Sequence, residues 1–169
     1  MRLDPSEHAP AFSVYIANVT EDDVLAAIEA QLSETRALLE SIGEERAPFR
    51  YAPGKWSIKE VVGHVTDCER VFSYRATAIG RGELQPLPGF DEKTYAENAG
   101  FDRLTLRELI ETYVAVRTST ILLYRQLPPE AWDRRGIANN NPLSVRALAH
   151  VTLGHERHHL RVLRERYLA

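Results

Sequence analysis

A single cysteine, Cys68, stands in the 169-residue chain. One cysteine excludes an internal disulfide and a cysteine-built zinc site. Positive charge is in short supply as well, with 21 Lys and Arg against 24 Asp and Glu for a net charge of -3. A nucleic-acid-binding domain carries a basic excess, so neither DNA nor RNA is expected as a partner. No run approaches the ~18 apolar residues of a membrane span. Met1 to Pro10 holds Asp4, Glu7 and two prolines where an export signal would place basic and then apolar residues. A cytoplasmic location is the expectation. Strand-type alternation, internal repeats and low-complexity segments are all missing.

What is present is helical. Hydrophobic residues at 44% and charged residues at 27% describe an ordinary globular chain, long enough for one domain with a substantial core. Met1 to Asn18 reads as an irregular lead-in whose Phe12, Val14, Tyr15 and Ile16 pack on that core. Thr20 is expected to open a first helix, with Asp23 as the capping-box acid and Gly43 as its C-terminal stop. Ser57-Ile58-Lys59-Glu60 and Thr105-Leu106-Arg107-Glu108 are full capping boxes, opening helices predicted to run to about Ile79 and Leu127. Trp56 before the first box reads as a staple residue. Ser144 caps a fourth helix reaching about Tyr167. Arg81 to Leu104 is the longest connection, with a short helix expected over Asp91 to Ala99. Pro129 to Leu143 is a second loop, turning at Asn139-Asn140-Asn141-Pro142. Four long amphipathic segments predict an all-α four-helix bundle in one domain, residues 1–169.

Histidine is the residue from which chemistry follows. Of six, His64 falls within the apolar stripe Val61, Val65, Cys68 and Phe72 of the second helix. His155 and His159, four residues apart, share the inward stripe of the fourth. His150 and His158 lie roughly 80° or more off that stripe and are expected on a flank or in solvent. Buried imidazoles need partners for their nitrogens. Periodicity leaves two outcomes open: three separately satisfied core histidines, or three rings sharing one ion.

Several stretches carry a resemblance. Arg50 to His64 (with Pro53-Gly54-Lys55-Trp56-Ser57 at its centre), the run on through Asp67, Glu69, Arg70 and Arg75, Leu87-Pro88-Gly89-Phe90-Asp91, and Gly154-His155-Glu156 with His158-His159-Leu160 resemble the signatures of the DinB-like proteins, in the branch that includes the bacillithiol S-transferases. The resemblance spans nearly the whole chain. It implies an up-down-down-up course with a long crossover between helices two and three. It also implies a metal triad at His64, His155 and His159, nickel or zinc as the usual ion, and frequent homodimers.

Three neutral imidazoles leave a divalent ion with an open position, able to activate a thiol or a water. The resemblance favours the thiol: a low-molecular-weight thiol S-transferase acting on an electrophilic substrate. Hydrolysis and a non-catalytic metal-binding stress-response role are the alternatives. Asp67 and Glu156 are either solvated helix-face carboxylates or acceptors for a ligand imidazole. Arg75 either steers an anionic thiol or substrate, or snorkels at the bundle end. Cys68 reads as a packed core thiol.

Overall fold

The computed structural model describes residues 3–169, and its four long helices form the expected bundle. A short helix α1 (Ser13–Ile16) precedes α2 (Val24–Ile42) and α3 (Ile58–Gly80). The crossover carries α4 (Glu92–Ala99) and leads to α5 (Leu106–Arg125). A hairpin of β1 (Arg135–Ala138) and β2 (Asn141–Ser144) precedes α6 (Val145–Val162), which continues through a wider turn at Leu163–Tyr167. No helix among the described residues is long and apolar enough to cross a membrane.

Contacts between helix ends fix the topology. At one end Glu44, just past α2, accepts from the backbone N–H of Leu106 at the start of α5. There too the Tyr167 hydroxyl, beyond α6, donates to the Trp56 carbonyl just before α3. At the other end Arg134 donates to the carbonyl of Gly80, the last residue of α3. So α2 and α6 run one way and α3 and α5 the other, the up-down-down-up course. Two parallel consecutive helices need a connection as long as the bundle, which is the role of residues 81–105.

Sequence chemistry accounts for most helix starts. Ser57 and Thr105 each accept from the backbone three residues on, and Glu60 and Glu108 close both capping boxes. Asp91 caps α4 and Ser144 caps α6. The first long helix departs from expectation by one turn: Asp23, not Thr20, is its cap, accepting from Ala26 N–H. Aspartate is the stronger cap, and residues 20–22 are drawn outward because Glu21 pairs with Arg157 on α6. The 129–143 loop also proves more ordered than expected. Asn139 and Asn140 take positive φ (51° and 60°), which closes a two-residue hairpin turn between strands too short to show alternation.

The core is divided. One apolar cluster gathers Ile28, Phe72, Ile121, Leu148 and Leu153; a second holds Leu39, Ile58, Leu109, Leu160 and Leu163. Between them lies a buried polar layer drawn from all four long helices. Arg117 makes two bonds to Glu69 (2.7 and 2.8 Å) and one to Glu156 (2.7 Å). Glu156 also accepts from the hydroxyls of Thr35 (2.6 Å) and Tyr113. Burial opposes the charge on Arg117, but Glu156 and Glu69 hold its pKa well above the usual arginine value.

Candidate metal centre

Antiparallel packing of α3 against α6 brings the first turns of one beside the last turns of the other. His64 thereby meets His155 and His159 across ninety-odd residues of chain. His64 Nε2 stands 3.2 Å from His155 Nε2 and 3.2 Å from His159 Nε2, and the three ligand atoms all lie within 4.8 Å of one another. His64 and His155 are 5% and 4% exposed, and His159 is partly buried.

Burial sets the protonation of these rings. It pushes His64 down to about 4 and, helped by His64 and His158, His159 down to about 3. His155 is driven well below its ordinary value by burial first, then by its histidine neighbours. At neutral pH all three are neutral. One N–H can bridge only one pair of nitrogens, so three neutral rings converging at Nε2 leave lone pair against lone pair or N–H against N–H. A shared cation removes that conflict. Two nitrogens each about 2.0–2.1 Å from a tetrahedral zinc-type ion stand roughly 3.3 Å apart, and the two spacings of 3.2 Å from His64 match. The donor set fits a divalent ion bound by three imidazoles.

Aromatic rings wall the site. Trp56 lies 4.6 Å from His64 between ring centroids, and Tyr15 and Phe72 meet His155 edge-on at 5.1 and 5.5 Å. Tyr15 reaches that position because α1 rests directly on α6 at Gly154. A Cβ there would sit 2.0 Å from the Tyr15 carbonyl oxygen, and Asn18 donates to the Gly154 carbonyl. A similar notch at Gly63 admits the ring of Phe101 from the crossover beside His64. Neither Tyr15 nor Trp56 was marked by the sequence as a site residue. The signals were slight: Trp56 precedes a capping box, and Tyr15 is one of several apolar residues in the lead-in.

A cavity of about 200 Å³ opens onto His64 and His155, bounded by Tyr15, Cys68, Phe72, Arg75 and Phe90. Cys68 Sγ packs 3.7 Å from the His64 ring, its thiol pKa raised chiefly by burial. A larger groove of about 550 Å³ between α2 and α5 is lined by Leu39, Glu44, Leu106 and Ile110, away from every histidine.

The remaining candidates separate. Asp67 turns outward and pairs with Arg70 at 2.6 Å rather than with an imidazole. Glu156 is not a solvated carboxylate but buried, and both its oxygens are spent on Arg117, Thr35 and Tyr113. Neither accepts a hydrogen bond from the three rings. Arg75 does not snorkel to solvent; it borders the cavity. Of the two flank histidines, His158 sits beside Tyr15 and Arg161 as expected. His150 is buried instead, its Nδ1–H donating to the Arg146 carbonyl (2.9 Å), because the N-terminal segment carrying Glu7 lies over that flank.

A four-helix bundle with an up-down-down-up course and a three-histidine cluster between α3 and α6 is a narrow class. The chain belongs to the DinB superfamily, whose model matches residues 27–163. It is 24% identical over 146 residues to a proposed metal-dependent hydrolase of Oceanobacillus iheyensis, covering 84% of each chain. Its fold is similar to that of YfiT from Bacillus subtilis, described as a proposed metal-dependent hydrolase with an unusual four-helix bundle topology (TM-score 0.73, 17% identity, 98% of this chain and 90% of that one). It is similar too to a mycothiol-dependent maleylpyruvate isomerase (TM-score 0.68, 14% identity, 86% of this chain but 61% of that one).

Proposed function

We propose that this protein is a metal-dependent enzyme that transfers a low-molecular-weight thiol to an electrophilic substrate, with His64, His155 and His159 holding a nickel or zinc ion. The observation that carries the reading is the meeting of the three neutral imidazoles at Nε2, two of them facing a cavity. A divalent ion held there supplies Lewis acidity, which lowers the pKa of a thiol or water entering the site. The histidines act as ligands and move no proton. Trp56, Tyr15 and Phe72 keep bulk water from the rings, which favours sulfur over competing water. Phe72 and Phe90 offer an apolar wall for the electrophile. The thiol loses its proton to solvent, its sulfur forms the new bond to carbon, and the leaving group departs with its electron pair.

Hydrolysis is the second reading, favoured by the descriptions of two relatives. It calls for a base beside the attacking water. Asp67 and Glu156 are committed elsewhere, leaving Glu92 at the cavity wall as the carboxylate on hand. Metal-loaded protein given a small thiol with a chloroaromatic acceptor, and separately an activated ester, distinguishes the two. We expect thioether formation that is lost in His64→Ala. Ester cleavage without any conjugate would replace transfer by hydrolysis.

A further inference from the structure

Arg75 is 3% exposed, and a guanidinium removed from water calls for a counter-charge. The other deeply buried arginines have one: Arg117 meets Glu69 and Glu156, and Arg146 meets Glu7 and Asp133. Among the described residues no carboxylate lies within ion-pairing reach of Arg75. Its partners are the Pro88 carbonyl, to which Nη2 donates at 2.9 Å, and the face of Phe90 at 5.8 Å. Burial accordingly pulls its pKa below the ordinary arginine value. Those contacts leave most of its five N–H donors for something else, and the side chain borders the cavity that ends at His64 and His155.

We propose that this cavity takes a thiol bearing a carboxylate, the carboxylate paired with Arg75 at one end and the sulfur facing His64 and His155 at the other. The inference rests on the reading of the histidines as a metal centre that receives a thiol. A planar guanidinium matches a carboxylate through two parallel hydrogen bonds. Among the described residues Arg75 is the only arginine or lysine on the cavity wall, which also carries Glu92, and the volume of about 200 Å³ suits a small monoanion rather than a polyphosphate. Length follows from the helix. Arg75 lies eleven residues beyond His64 on α3, roughly 16 Å along the axis. Helical side chains lean back toward the helix start, which shortens that span, and the charge of Arg75 is felt at Cys68, one turn from His64. A gap shorter than that rise suits a thiol and a carboxylate held several carbons apart.

The test uses cobalt-loaded protein titrated with 6-mercaptohexanoate and with 6-mercaptohexanamide, following the sulfur-to-cobalt absorption band. The acid should bind about tenfold or more tightly than the amide, a preference carried by charge-assisted pairing. Arg75→Gln should lose that preference while its affinity for the amide holds. Arg75→Lys keeps the charge without the fork and should fall between, which also covers the case that the glutamine variant does not fold. Equal affinities in the wild type, or a preference that survives Arg75→Gln, would overturn the proposal while leaving the metal–thiol reading intact. If neither thiol produced the band, that reading would fail instead. Hexanoate against hexanamide by calorimetry would then read Arg75 alone. Binding of neither, or a hexanoate preference undiminished in Arg75→Gln, would overturn the anion site.

Discussion

Three histidines held neutral by burial make a metal-free protein sensitive to acid. Their folded pKa values (about 4 for His64, about 3 for His159, and well below normal for His155) lie under the value of the unfolded chain. Between the unfolded value near ~6.5 and those folded values the unfolded state binds more protons, so stability must fall as pH falls through that window. Denaturant unfolding of metal-free protein from pH 7.5 to 4.5 should show this loss, and His159→Gln should reduce the slope by about one proton. An unchanged slope would mean that His159 is not held neutral. That the three rings face the core was legible, because a 3.6-residue period puts His64 and the His155–His159 pair on core faces; that they form one triad was implied by the family resemblance. What periodicity cannot show is the company they keep. Trp56, Tyr15 and Phe72 reach the rings only through tertiary packing, and His150 is buried by a segment more than a hundred residues earlier in the chain.

Side-chain caps and close approaches decide where each element lies. Both capping boxes could be read directly, since Ser57 with Glu60 and Thr105 with Glu108 satisfy helix-end donors locally. The start of α2 could not, because Glu21 is held by Arg157 from α6, a partner no local pattern reveals. The hairpin was half legible: the Asn139–Asn140 turn announces itself, while four-residue strands around Gly136 and Pro142 do not. α1 depends on Gly154, where an added methyl would meet the Tyr15 carbonyl. Gly154→Ala should therefore cost about 1–3 kcal/mol through forced displacement. It should also free residues 10–18 for limited proteolysis before the bundle unfolds. Undiminished stability with an equally protected N-terminus would show that α1 does not rest on α6 in this way.

The molecule as a whole is built around a polar layer that the sequence did not disclose, although the family resemblance implied its topology and the long connection at 81–104 suited it. Glu69, Arg117 and Glu156 each look like ordinary helix charges, and only assembly shows that they face one another between two apolar clusters. Removing the cation leaves two buried carboxylates uncompensated, so Arg117→Met should destabilise the fold by about 3–5 kcal/mol. Replacing Glu69 by Leu in the same chain should recover part of that loss in urea unfolding. A near-neutral Arg117→Met variant would mean that the layer is hydrated rather than dry. The layer also fixes α6 against α3 and α5 through Glu156, the neighbour of His155, and so supports the geometry on which the functional reading rests. That geometry is tested most directly by elemental analysis of the purified protein beside His64→Ala, His155→Ala and His159→Ala. The account predicts about one divalent ion per wild-type chain and almost none in any of the three variants. Full metal content retained by one of them, or a wild-type chain that takes up no ion from nickel or zinc solution, would contradict it.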